Sequence, residues 1–177
     1  MSLNPQMDIL YLKDLGHVLG IFTRASEPVT IETDASAFVG DGLHLRGLVA
    51  GQDLVVAPNL IGIFRADRNW RQILQPTTLY ATGLPAAPAL ASFSAAAPVV
   101  SHAASTLTIT WTTGIVGTIL VLALDTNGGT PVQFGTPITA AQTSVTLPIT
   151  GLIAGDTYNA FVFVPTYPMA TFKFTAP

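Results

Sequence analysis

The sequence predicts an all-β protein in two parts, a small β-rich domain over residues 1–84 and an antiparallel β-domain over residues 85–177. Apolar and polar residues alternate in short segments, which places the apolar side chains on one face of a strand. Gly, Pro and Asn turn signals separate these segments. Helix signals are weak and limited to short turns near residues 34–38 and 67–73. Together these observations favour strands throughout.

The boundary between the two parts is predicted near Pro85. The stretch "LPAAPALASFSAAAP", from Leu84 to Pro98, contains three prolines, seven alanines and no charged residue. Such a composition between patterned segments is typical of a linker or of the leading edge of a domain.

Upstream of this boundary, six short segments have the length and composition of strands. Turn signals at Ser26-Glu27-Pro28, Gly40-Asp41-Gly42 and Pro58-Asn59 separate some of them. The predicted strands are residues 9–12, 18–23, 29–33, 43–46, 53–57 and 60–64.

Downstream, the strand pattern is more regular. In "STLTITWT", Ser105–Thr112, period two places Leu107, Ile109 and Trp111 on one face and the threonines on the other. An Asn127-Gly128 hairpin signal follows the next segment. Strands are also predicted at residues 117–124, 144–149, 158–164 and 170–175. This spacing favours an antiparallel β-sandwich of the immunoglobulin class.

Two motifs in residues 86–177 resemble the fibronectin type III family. The first is Trp111 late in an early strand, and the second is the turn "LIAGDTY", Leu152–Tyr158, before a late strand. Ala154 and Asp156 stand where family members usually have Pro and Thr. The resemblance implies a two-sheet sandwich and no particular task, because this fold serves many functions.

A tyrosine at such a corner has a structural explanation. Its ring packs inward, and its hydroxyl turns back to a nearby backbone carbonyl, which is the tyrosine corner. We therefore expect Tyr158, Leu152 and Trp111 to be structural residues rather than catalytic ones.

The charge distribution is unusual. Charged residues make up 10% of the chain, against about 25% in typical soluble proteins. Fourteen lie in residues 1–84, whereas residues 85–177 contain Asp125, Asp156 and Lys173 alone. A surface with so few ions is poorly protected against self-association. It predicts either an exterior covered by neighbouring subunits or the neutral, Thr-rich surface of an ordinary monomer.

Composition also limits the classes of partner and the cellular location that the sequence predicts. Seven basic residues are too few and too scattered for nucleic acid, and no apolar run reaches the ~20 residues that cross a bilayer. Without cysteine, disulfides and thiolate metal sites are excluded. No secretory signal is visible, so a cytoplasmic or particle-associated location is expected.

One basic, aromatic segment, "FRADRNWRQ", is the first choice for a specific contact. Arg65, Arg68 and Arg71 recur every third residue and would share a face of a helical turn, beside Trp70. Arg and Trp are enriched at interface hot spots and also stack together to bind carboxylates or sugars. The structural alternative is a turn in which Trp70 covers the core and the arginines pair with Asp53 or Asp67.

Catalytic and metal sites are weakly indicated. His17 lies near Asp14, as in a base-catalysis pair, but its setting is that of a strand start. Glu32, Asp34 and Asp41 are candidate Ca²⁺ ligands, although a solvated acidic face explains them better. We expect no cofactor and no enzymatic activity.

The leading hypothesis is a non-enzymatic structural or interaction protein within a homo-oligomer or larger assembly, such as a phage-tail-like particle. One alternative is a carbohydrate-binding or adhesion module using Trp70 and exposed Tyr80 or Tyr167. Another is an accessory domain of an enzyme on a different chain.

Overall fold

A computed structural model of the protein is all-β, with antiparallel sheets. It describes residues 6–23, 39–49, 52–67, 75–84, 86–93, 95–128 and 132–177. The strands within them are β1 (Gln6–Leu12), β2 (Val18–Thr23), β3 (Leu43–Val49), β4 (Gln52–Val56), β5 (Ile61–Asp67), β6 (Leu79–Thr82), β7 (Ala89–Ser92), β8 (Val99–Ala103), β9 (Thr106–Asp125), β10 (Val132–Pro148), β11 (Thr157–Phe163) and β12 (Ala170–Thr175). Single 3-10 turns cover Pro58–Leu60 and Pro76–Thr78.

The chain divides into two compact units. The first comprises Met1–Leu43 and Val56–Phe93, and the second comprises His44–Val55 and Ser94–Pro177. This division differs from the predicted boundary near Pro85 in two ways. The proline-rich stretch is part of the first unit as far as Phe93, because β7 within it pairs with β6, and most of the β3–β4 hairpin belongs to the second unit.

The first unit is built on a three-stranded sheet with the order β2-β1-β5. Ile9 of β1 lies between Ile21 of β2 and Phe64 of β5. The strands predicted at residues 9–12, 18–23 and 60–64 are present, whereas β6 and β7 were not predicted. The core contains Met7, Ile9, Val18, Phe64, Leu79 and Ala81.

Several sequence predictions for this half of the chain lie outside the described residues. They are the strand at residues 29–33, the Ser26-Glu27-Pro28 turn and the helical turn at residues 34–38. Of the second helical candidate, residues 67–73, only Asp67 is described, and it ends strand β5.

Besides the β3–β4 hairpin, the second unit has a five-stranded sheet in which β9 is the central strand. Its order is β10-β9-β11-β12, and β8 also pairs with β9. The first part of β9 pairs with β8 and with the end of β10. From Gly117 onward, β9 pairs with the start of β10 and then with β11. The two strands predicted at residues 105–112 and 117–124 therefore form one long strand that changes partners along its length.

Gly117 lies where β9 changes partners. Its φ of +146° is in the region that favours glycine. A Cβ at this position would lie 3.0 Å from Pro165 Cγ, which is tighter than ordinary packing. Glycine therefore permits both the backbone conformation and the close approach of Pro165.

The apolar residues of both parts of β9 share one core. Leu107 and Ile109 are fully buried, as are Ile119 and Val121, and all four belong to a cluster that also contains Trp111 and residues of β11. The threonines that alternate with them in the first part are half-buried or exposed. The alternation predicted for Ser105–Thr112 is thus confirmed.

The hairpin predicted at Asn127-Gly128 connects β9 to β10. Asp125 Oδ1 accepts a hydrogen bond from the backbone N–H of Asn127 at 2.8 Å. The N–H of Gly128 donates to the carbonyl of Asp125 at 3.2 Å, and Gly128 has a φ of +91°. The carboxylate of Asp125 is therefore used to order the turn, as in an Asx turn.

Tyr158 is buried at the start of β11. Only 2% of its surface is exposed, and its ring stacks on Phe174 with 6.0 Å between centroids. Its hydroxyl accepts a hydrogen bond from the backbone N–H of Ile153 at 3.0 Å. The expected partner was a backbone carbonyl; the partner found is a backbone N–H five residues upstream. Leu152, next to Ile153, packs against the same core.

Trp111 combines burial with a polar contact. It is 7% exposed, and its indole Nε1–H donates to the carbonyl of Gln142 at 2.8 Å. This bond links β9 to β10 at a place where their register is irregular.

We predict that Tyr158→Phe lowers the free energy of unfolding by about 1 kcal/mol, because the Ile153 N–H loses its acceptor. Chemical denaturation of the variant and the wild type measures the difference. An unchanged midpoint and slope would contradict a stabilising hydroxyl.

Candidate interaction surfaces

The predicted basic patch is described only in part. Arg68, Trp70 and Arg71 lie outside the described residues. Arg65 lies on β5, and its Nε donates to Asp8 Oδ1 on β1 at 2.9 Å. The two side chains are 12% and 3% exposed. Arg65, predicted as part of an interaction patch, is thus largely buried in an ion pair.

The physical reason is that Arg65 lies on strand β5, which extends to Asp67. A three-residue repeat shares a face only in a helix, whereas residues of a strand alternate with period two. On strand β5, Arg65 lies opposite Asp8, and Asp67 lies opposite Gln6. Gln6 Nε2 donates to Asp67 Oδ1 at 2.6 Å. Arg65 therefore pairs with Asp8 rather than with Asp67, and the side chain of Asp53 lies outside the described residues.

Burial of Asp8 follows from the central position of β1. Met7 and Ile9 point to one face of the sheet, while Leu10 and Leu12 share the opposite face with Asp8. All four apolar residues are almost completely buried. A carboxylate in this setting requires a charged or hydrogen-bonded partner, and Arg65 supplies it.

The tyrosines proposed for a carbohydrate site are in different environments. Tyr167 is 3% exposed, so its prediction as an exposed residue was wrong. Tyr80 is half-buried, and its ring stacks on Phe93 at 5.2 Å. Phe93 also contacts the ring of His17, with 5.3 Å between the ring centroids. One face of Tyr80 is therefore occupied within the protein.

Tyr167 fixes the irregular part of β9. Its hydroxyl accepts a hydrogen bond from the backbone N–H of Thr113 at 2.7 Å and donates to the carbonyl of the same residue at 3.3 Å. Thr112 Oγ1 lies 3.2 Å away. Burial raises the pKa of Tyr167, but the hydrogen bonds with Thr112 and Thr113 outweigh it and lower the pKa overall.

This role of Tyr167 was missed because it depends on long-range contact. The residue stands in a "TYP" turn between two predicted strands, a position that ordinarily indicates exposure. The preceding Thr166 has a φ of +65°, which is uncommon for a residue with a side chain. That strained turn directs Tyr167 inward, and no local pattern in the sequence encodes the direction.

The structure describes some of the residues considered for catalysis or metal binding, and these do not lie together in one site. His17 is buried beside Phe93, while Asp14 is exposed. Of the three candidate Ca²⁺ ligands, Glu32 and Asp34 are outside the described residues and Asp41 is exposed at a turn. Among the residues with described positions, no three His, Cys, Asp or Glu side chains form a group that would hold a metal ion.

Two comparisons complete this description. No protein-family model matches the sequence, and no curated protein matches it at a significant level. Within the described part of the chain, none of the helical segments has the length and apolar character needed to span a membrane.

We predict that Arg65→Met destabilises the protein by about 3–5 kcal/mol, because it leaves the Asp8 carboxylate buried without its cation. Adding Asp8→Leu to this variant should recover most of the loss. Thermal and denaturant unfolding measure both variants, with Lys13→Met as the exposed control. Equal stability of Arg65→Met and Lys13→Met would contradict a buried pair.

We also predict that Tyr167→Phe costs about 1–3 kcal/mol, because it leaves the N–H of Thr113 without its acceptor. Tyr80→Phe is the matched control, and it should cost less because Tyr80 is only half-buried. Both free energies of unfolding are measured in urea. A larger loss for Tyr80→Phe would overturn this assignment.

Proposed function

We propose that the protein is a non-enzymatic structural or protein-interaction component that acts within a homo-oligomer or a larger particle-like assembly. The observation that carries the proposal is the scarcity of charge on residues 85–177. Of the three charged residues there, Asp125 is buried and orders a turn, Asp156 is half-buried and Lys173 is exposed. A surface with one fully exposed ion offers almost no electrostatic resistance to contact between copies.

The architecture of this region is consistent with such a role. We propose that residues 86–177 form a fibronectin type III-like sandwich. The change of partners along β9, the core shared by its two parts and the buried Tyr158 support this assignment. Modules of this kind serve as rigid building blocks in many assemblies, although the fold alone does not define a task.

The polar groups that first suggested chemistry or ligand binding have structural partners. Arg65 pairs with Asp8, Tyr158 binds the backbone at Ile153, and Tyr167 binds it at Thr113. These contacts support a structural rather than a catalytic use of the most conspicuous side chains. They also weaken the carbohydrate alternative, which retains Tyr80 and the undescribed Trp70.

We predict a defined oligomer in solution at micromolar concentration. The reason is that uncharged surfaces of one chain associate when nothing keeps them apart. Sedimentation velocity over a wide concentration range, with light scattering as a second measure of mass, tests this. The mass of a single chain at every concentration would contradict the proposal.

A further inference from the structure

One outer surface of the second unit is regular in register and uncharged. It is the solvent side of three neighbouring strands, β8, β9 and β10, and is called the threonine face below. The register aligns its residues in three rows across the strands. The rows are Val99–Thr110–Ser144, Ser101–Thr108–Thr146 and Ala103–Thr106–Pro148.

The threonine face is accessible. Val99 is 67% exposed, and the other positions on β8 and β10 are also exposed. The three threonines of β9 are half-buried, as expected for the middle strand of the face. The intervening residues of β9, Leu107 and Ile109, are completely buried in the core. The nine residues of the threonine face therefore lie on the outer side of the sheet, whereas the side chains on its inner side pack in the core.

The four threonine hydroxyl groups on this face have partners within the sheet. Thr108 Oγ1 and Thr146 Oγ1 lie 3.2 Å apart, in hydrogen-bonding distance. Thr106 Oγ1 donates to the carbonyl of Ala103 at 3.0 Å, and Thr110 Oγ1 to that of Val99 at 3.4 Å. When a partner covers the threonine face, few hydrogen bonds between its hydroxyl groups and water are lost, so the cost of desolvating the face is low.

Resting on the proposed assembly, we infer that the threonine face is the contact by which a second copy of this chain packs, sheet against sheet. A charged partner would bury ions opposite a face with no counter-charge, which is unfavourable. A partner that fits must present small, uncharged side chains with the same period, and the threonine face of another copy does so. A twofold axis near Thr108, at the centre of the middle row, makes the two faces self-complementary.

The size of the face sets the strength of this contact. Three strands and five residues along each cover roughly 250 Å² per copy. A standard stable interface buries about 800 Å² per partner. One such contact is therefore weak and reversible by itself, and it contributes to an assembly when several contacts act together.

Charge placed at the centre of the face tests the inference. In the full chain, Thr108→Lys puts two like charges against each other across the twofold axis, so we expect at least about tenfold weaker self-association by sedimentation velocity. Thr171→Lys, at an exposed position of β12, is the matched control and should associate as the wild type does. Circular dichroism and thermal melting verify that each variant is folded.

A mixing experiment distinguishes a lost contact from a damaged fold. Thr108→Glu alone should also associate weakly, and an equimolar mixture with Thr108→Lys should regain association because the charges then attract. If Thr108→Lys does not fold, Ser101→Lys and Ser101→Glu, in the same row, replace the pair. Recovery in the mixture supports the threonine face.

Three results would overturn the inference. If the wild type associates and Thr108→Lys associates equally well, the threonine face is not the contact, while the proposed assembly stands. Weakening without recovery in the mixture also rejects the face-to-face arrangement. A wild type that remains monomeric at every concentration rejects both the threonine face and the proposed assembly.

Discussion

The second unit depends on the burial of one face of a single long strand. β9 pairs with β10 along one edge and with β8 and then β11 along the other, and its inward side chains from Leu107 to Ala123 belong to one apolar cluster. Because β9 supplies residues to the core along most of its length, disturbing either part removes packing from the other. Gly117 and the hydrogen bonds of Tyr167 hold the irregular segment between the two parts. In residues 106–112 the alternation of β9 also determines its other face, where threonines rather than ions meet the solvent, whereas residues 119–125 are buried on both faces.

The two units bury polar groups in different ways. In the first, a carboxylate and a guanidinium are enclosed together on neighbouring strands, and each is tolerated only because the other is present. In the second, the carboxylate of Asp125 is buried where it orders a turn, and neutral hydroxyl and indole groups bind backbone atoms at Ile153, Thr113 and Gln142. Neutral partners avoid the desolvation of ions, which agrees with the near-absence of charge in residues 85–177.

Much of the second unit was predictable because local pattern and tertiary packing agree there. The period-two alternation in Ser105–Thr112 placed Trp111 inside and the threonines outside, and the Asn127-Gly128 turn was recognised from two residues. The union of residues 106–125 into one strand was not predicted, since Gly114 and Gly117 interrupt the sequence pattern between residues 105–112 and 117–124. The turn that buries Tyr167 likewise depends on contacts distant in sequence.

The first unit was less predictable, for an equally physical reason. Its strands β6 and β7 lie in and beside a proline- and alanine-rich stretch whose composition is that of a linker, and their pairing overrides that local preference. Arg65 was expected on a helical face, but the strand that contains it extends to Asp67 and places it opposite Asp8. For the proposed interaction surface, the scarcity of charged residues in the sequence indicated self-association. The threonine face itself could be located only from the strand register.

Native-state hydrogen exchange, resolved to single amides, tests the central role of β9 most directly. If β9 organises one shared core, the protected amides of residues 106–112 and 117–125 should open with the same free energy, close to that of global unfolding. Separate opening of the two parts, with clearly different free energies, would contradict a single core built around β9.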